Sequence, residues 1–252
     1  MASIDWIEEG DDLSAAGEYE AALDRYTKAI EEEPGNAHAF LNRGYVQGLL
    51  ERYDLAIVDL SKAIELDPDE PEAYLFRAIA NMSEERFKQS LEDCNAAIAR
   101  DPEYAEAFFY KGLNLLSLED YRTAVAAFDT AADLDPEFSD VYLHRGQARE
   151  ELGEFAASME DYNLAIELNP EDPEGYMYRG ELLHLLLDVE GAVDNYNQAL
   201  VLDPENAFAF INRADAYLHL DQLDKACQDW KKAAELGLPE AEDFLNEYCR
   251  KK

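Results

Sequence analysis

The most regular charged residues in this chain come in pairs sixteen positions apart. Arg43 precedes Asp59 by that interval, as Arg77 precedes Asp93, Arg145 precedes Asp161 and Arg213 precedes Asp229. Glu9 and Arg25 keep the interval with their signs exchanged. A sign swap at both ends of a fixed spacing is what two touching side chains would show, so a ladder of ion pairs is expected inside successive helix hairpins. Arginine suits such rungs, because its planar fork engages a carboxylate through two bonds while its stem packs on apolar neighbours. A partly exposed rung is worth about 0.2–1 kcal/mol, and the role is structural. Two cations lack the acid: Lys111 precedes Ala127, and Arg179 precedes Asn195. These two are candidate anchors for a ligand carboxylate, against the plainer reading that they pair elsewhere or stay hydrated.

Other chemistries find no footing. The chain has no Gly-rich phosphate loop, no Gly-x-Ser-x-Gly elbow and no His-Glu-x-x-His zinc helix. Its four histidines, His38, His144, His184 and His219, fall at unrelated places, so convergence on one metal is not expected. The three cysteines, Cys94, Cys227 and Cys249, cannot all pair, and without a Cys-x-x-Cys or Cys/His spacing they read as buried free thiols. Carboxylates are so numerous that finding two together says nothing about acid–base catalysis. The reading is therefore non-enzymatic, with no catalytic residue, no cofactor and no metal.

The elements that must hold these residues follow from the prolines. Pro34, Pro68, Pro102, Pro136, Pro170 and Pro204 recur every 34 residues without insertion. A fixed period of this length means a small unit that buries its apolar face only by stacking on copies of itself. Placing each proline at position 32 defines repeats 3–36, 37–70, 71–104, 105–138, 139–172, 173–206 and 207–240. Position 8 is then glycine or alanine throughout, from Gly10 to Ala214, and position 27 is alanine in every copy. Bulky side chains fill the complementary columns: Trp6, Phe40 and Tyr74 open position 4, and Tyr26, Phe128, Tyr162, Tyr196 and Trp230 stand at position 24. Small holes face large knobs, as close packing requires. Apolar residues recur at three- and four-residue steps, which predicts two amphipathic helices per repeat, over positions 2–14 and 18–31. The proline ends the second helix, and Pro71 and Pro173 suit a first helical turn. Beyond Gly237 and Pro239, residues 240–250 read as a capping helix with Phe244, Leu245 and Tyr248 inward and Arg250 outward.

These columns resemble the tetratricopeptide repeat over essentially the whole chain, although only Trp6 keeps the preferred opening tryptophan and position 7 is basic in six copies. The resemblance implies an all-α fold, a right-handed α-solenoid superhelix of seven antiparallel helix-turn-helix units plus the capping helix, continuous from Ile4 to Leu238. It also implies a concave groove, lined by the first helices, that binds peptides or protein segments. Carrying over the family's ligand-facing positions, chiefly 2, 5, 6, 9 and 12, places Asn42, Tyr45, Phe76, Phe109, Tyr110, His144, Gln147, Met177, Tyr178, Glu181, Asn212 and Asp215 in that groove. Acids at position 2, including Glu72 and Glu106, would edge it, and the position-5 side chains could equally be core between repeats. Such a wall suits a basic segment with apolar anchors. One subclass of the family grips the acidic tails of chaperones with lysine, asparagine and arginine. Asn42 matches that clamp, but its lysine columns here hold apolar residues and acids, so an acidic tail is disfavoured.

Charge points the same way. Fifty-seven acids against 21 bases leave a formal charge of −36. Such a surface repels phosphate backbones, which excludes nucleic acid as the expected partner. No apolar stretch reaches the roughly 20 residues of a membrane helix. The start Met1-Ala2-Ser3-Ile4 shows no signal peptide, so the expected location is cytoplasmic. The function expected is a protein-interaction scaffold. The alternatives are an assembly module that self-associates through its convex face or stack ends, with the basic Arg250-Lys251-Lys252 tail one segment that could seat in a neighbour's groove, and a built or reconstructed repeat protein with no evolved ligand.

Overall fold

The structure, a computed structural model, describes residues 5–249. Ser3 and Ile4 of the first repeat, Arg250, and the basic tail that Arg250 opens lie outside them. The first helix of each repeat is α1 (Trp6–Ala15), α3 (Ala37–Leu49), α5 (Pro71–Ser83), α7 (Ala105–Ser117), α9 (Ser139–Glu151), α11 (Pro173–Leu185) and α13 (Ala207–His219). The second helices are α2 (Tyr19–Glu32), α4 (Tyr53–Leu66), α6 (Phe87–Arg100), α8 (Tyr121–Leu134), α10 (Phe155–Leu168), α12 (Val189–Leu202) and α14 (Leu223–Glu235). A short α15 (Glu240–Phe244) runs into a π-helical turn at Leu245–Cys249. The fold among the described residues is all-α, and apart from α1, which starts at position 4, both helices of each repeat begin one position earlier than the periodicity predicts.

Helix ends follow from local chemistry. Each residue before a repeat proline leaves the helical region, with φ −132° at Glu33, −131° at Asp67 and −133° at Asn169, because the proline ring disfavours helical geometry there. Pro71 and Pro173 occupy the first turns of α5 and α11, where the missing amide hydrogen costs nothing. Asn36 and Asn206 cap α3 and α13 by accepting from the amides of Ala39 and Ala209 at 3.1 and 3.0 Å. The turn inside each hairpin places position 15 in the left-handed region. Gly17 and Gly153 take it at no steric cost, whereas Leu187 does so at φ +67° and Glu119 at +61°.

The chain divides into two compact units, one ending at Asp135 and the other starting at Pro136. The first holds α1–α8 and the second α9–α15 with the π-helical turn. Within each unit the two helices of a repeat pack on each other, the second helix packs on the first helix of the following repeat, and successive first helices touch. Small residues at position 8 permit this approach: a Cβ built on Gly146 would stand 2.5 Å from the Tyr162 ring, and one on Gly112 would stand 2.4 Å from Phe128. Buried residues accordingly form several clusters strung along each unit, such as Ala22, Tyr26 and Val46 in the first and Ala192, Tyr196, Ala199 and Ala209 in the second. No helix among the described residues is long and apolar enough to cross a membrane.

The chain's end departs from expectation. Phe244 and Tyr248 stack on Trp230 with ring centroids 5.3 and 5.6 Å away, as a cap should, but the helix widens into the π-helical turn. Cys249 is thereby brought to α14, where it forms a disulfide with Cys227. The reading of all three cysteines as free thiols is corrected: the last helix returns along α14, and 22 residues of separation become one covalent contact. Cys94 alone is free among the described residues, and burial, with the nearby Asp93 charge, pushes its thiol up to about 12.

Candidate functional site

The sixteen-residue pairs do meet. Arg43 donates to both oxygens of Asp59 at 2.7 and 2.8 Å, Arg77 to Asp93 at 2.9 and 2.6 Å, and Arg213 to Asp229 at 2.8 and 2.8 Å. Arg145 holds Asp161 at 2.6 Å, and the sign-swapped Arg25 donates to Glu9 at 2.8 Å. The aspartates are buried, so these rungs are more shielded than the sequence reading supposes. Three of these arginines also reach sixteen residues back, into the preceding repeat. Arg43 donates to Thr27 at 3.1 Å, Arg77 to Ser61 at 3.0 Å and Arg213 to Asn197 at 2.6 Å. The guanidinium is thus a staple between repeats as well as within one. It also lies over the position-4 ring, as Arg145 does over Tyr142 at 5.1 Å and Arg213 over Phe210 at 5.5 Å.

The two cations without acids share this framework. Arg179 donates to the side-chain oxygens of Asn195 and Asn163, both at 2.8 Å. Burial, uncompensated by a carboxylate, lowers its proton affinity. Lys111 has Ala127 opposite, and its charge is felt by the Cys94 thiol. Arg179 therefore has two of its donors already engaged inside the stack.

The ligand-facing columns form a second pattern: position 9 of one first helix touches position 6 of the next, 31 residues on. Asn42 donates to Asp11 at 2.7 Å, Asn212 donates to Glu181 at 2.6 Å, and the Tyr45 and Phe76 rings lie 4.7 Å apart. Tyr178 meets Gln147 at the same step, and His144 Nδ1 lies 2.7 Å from Gln147 Oε1. Phe109 and Met177, at position 5, are instead buried, as are Leu41, Leu75 and Leu143. That column is packing between repeats.

In the first unit these pairs border a cleft of about 450 Å³ along α3, α5 and α7. Tyr45, Leu49, Phe76, Ile79, Tyr104 and Tyr110 line it, with Glu106 at its edge. Leu49 and Tyr104 were not legible as site residues. They stand at positions 13 and 34, where only Leu185 and Phe138 in other repeats are similar and most copies are small or polar, so the large apolar type is their only signal.

In the second unit the corresponding face is acidic. Glu150 accepts from the Tyr162 hydroxyl at 3.0 Å, and Glu181 accepts from Asn212. Burial pushes both carboxyls above the usual carboxylate range; Glu151 adds to the effect at Glu150, and the charge of Glu150 adds to it at Glu181. No ion pair reaches either among the described residues. Asp215, at position 9 of α13, is exposed. Glu150 occupies the position-12 column, where its neighbours Leu116 and His184 give no acidic pattern to read.

Comparison with known proteins matches this architecture. A family model described as the tetratricopeptide repeat aligns to residues 7–71, 50–105 and 109–173, and a TPR repeat model aligns to 188–221. The chain belongs to the tetratricopeptide repeat family. Proteins of this family generally serve as scaffolds for protein interaction. No curated protein sequence matches the chain. Among solved structures, a tetratricopeptide repeat protein from Parabacteroides merdae is similar at 21% identity and TM-score 0.76, with 96% of each chain covered. YrrB, described as a TPR protein with an unusual peptide-binding site, is 21% identical at TM-score 0.59, over 79% of this chain and 98% of its own. A chain of the Cut9–Hcn1 hetero-tetramer of the APC/C is 17% identical at TM-score 0.81, over 96% of this chain and 48% of that one. At these identities the likeness is one of fold.

Proposed function

We propose that this tetratricopeptide repeat protein is a scaffold that docks an extended or helical segment of another protein, basic with apolar anchors, along its first-helix faces. The observation that carries the reading is the pair Glu150 and Glu181. Two half-buried carboxylates that repel each other, with no cation to neutralise them, are held at an energetic cost that an incoming lysine or arginine would relieve. Taken by itself, the first unit offers an aromatic cleft where Leu or Phe side chains could be buried. The peptide-binding site described for YrrB and the assembly that contains Cut9 support protein partners in general.

Fluorescence anisotropy with labelled twelve-residue peptides that combine Lys or Arg with Leu or Phe tests this. Binding should weaken steeply as salt rises. The loss of a charge-assisted contact in Glu181→Gln should cost about tenfold in affinity, and Phe76→Ala should weaken the apolar peptides most. Equal binding of acidic peptides, or salt-independent binding unaffected by either substitution, would overturn the proposal.

A further inference from the structure

We infer that His184 and His219 form a binding site for a divalent transition-metal ion of the kind that prefers imidazole, namely copper(II), nickel(II) or zinc(II). The two rings come from α11 and α13, the first helices of consecutive repeats. Their nitrogens, His184 Nε2 and His219 Nδ1, lie 2.6 Å apart, with ring planes at 71° and centroids 4.7 Å apart. One proton bridges the pair when both rings are neutral, so the lone pair of one nitrogen and the N–H of the other are aimed at a common point. When the donor ring carries its proton on its other nitrogen instead, both facing nitrogens present lone pairs, and a metal ion can bind between them.

The geometry needs little adjustment. With metal–nitrogen bonds of about 2.0–2.1 Å and the two ligands roughly 90–110° apart at the metal, the nitrogens must stand about 2.9–3.4 Å apart. The nitrogens therefore have to part by only a few tenths of an ångström, with each ring turning its lone pair from its partner toward the metal. Their backbones are fixed: Leu182 of α11 and Ala216 of α13 are fully buried within one turn of the histidines, so the ligands are presented from rigid helices.

The surroundings favour a cation and leave it room. Glu181 stands one turn before His184, and Asp215 one turn before His219, whose exposed carboxylate acts on His184 across the helices. The pair borders an open cleft of about 390 Å³, also lined by Leu185, Leu187, Tyr196 and Asn212. Among the described residues no third histidine, cysteine or carboxylate joins the two to complete a protein-only sphere. The remaining positions therefore belong to water or to a donor atom arriving in the cleft. Imidazole donors with open positions give the affinity order copper above zinc and nickel. Sequence reading sets the histidines apart because they occupy positions 12 and 13. The stacking of α11 on α13 brings these columns together.

Titration of the full chain at pH 7.5 with copper(II), nickel(II) or zinc(II) chloride, followed by calorimetry and by the thermal midpoint, tests the site. One equivalent should bind, copper most tightly, and the midpoint should rise with metal concentration as linkage requires. Copper(II) spin resonance should report coordinated imidazole nitrogen. His184→Gln and His219→Gln should each lower the affinity at least tenfold while circular dichroism stays unchanged, and calcium(II) at equal concentration should reproduce none of these effects. Absence of binding, binding that survives the double substitution, or a copper spectrum with oxygen ligands alone would overturn the assignment. None of these readouts involves a peptide, so the outcome is separate from that of the docking proposal.

Discussion

Asp229 is buried, and its two oxygens are both taken by Arg213, whereas Glu9 and Arg25 form the same rung near the surface with side chains 49% and 31% exposed. Removing a partner from these two rungs should therefore have unequal consequences. Arg213→Ala strands a buried carboxylate and should cost about 3 kcal/mol. Arg25→Ala releases its carboxylate to water and should cost about 1 kcal/mol or less. Urea unfolding of both variants measures the difference, and equal costs would show that burial of the aspartate does not set the strength of the rung. The pairing itself was legible in the sequence from the shared sign swap. Its burial was not, because solvent is excluded by the neighbouring repeat, which the pair of residues does not specify.

At the scale of the helix hairpin, the decisive position is the left-handed residue that joins the two helices. Glycine occupies it in two hairpins at φ +76°, but Leu187 takes it at +67° with 81% of its surface exposed. A side chain there crowds its own carbonyl and, so exposed, gains little from packing. Leu187→Gly should raise stability by about 0.5–1 kcal/mol, the relief of backbone strain exceeding the added entropy of the unfolded chain. A shift of the thermal midpoint upward is the expected reading; a fall would mean that the leucine makes a stabilising contact. The same reasoning explains why the helix boundaries were readable: proline at position 32 and asparagine caps are local devices. The left-handed position was missed because only two of its occupants are glycine.

For the molecule as a whole, stability accumulates from interfaces between neighbouring repeats. The Cys227–Cys249 bond adds a covalent contact after the seventh repeat, tying α14 to the turn whose Phe244 and Tyr248 cover Trp230. Closing a loop of this length stabilises by about 3 kcal/mol. Reduction with dithiothreitol, or Cys227→Ser, should make Trp230 lose its ring contacts at lower denaturant, seen by its fluorescence in a Trp6→Phe background. An unchanged transition would show that stacking alone holds the cap. Disulfides persist where thiols are not kept reduced, so this bond pulls against the cytoplasmic location that the sequence suggests.

The repeat length, the helix pairs, the small-against-large columns and the ion-pair ladder were all written along the chain, because each depends on spacings of sixteen or 34 residues that recur without interruption. Contacts that depend on how one repeat settles on the next were decided only by the tertiary structure. These include the step from position 9 to position 6, the burial of Phe109 and Met177, the meeting of His184 with His219, and the return of Cys249 to Cys227. The physical reason is that a period specifies which residues are equivalent, whereas the offset and rotation between stacked hairpins specify which inequivalent residues touch, and that offset is set by side-chain packing across the interface.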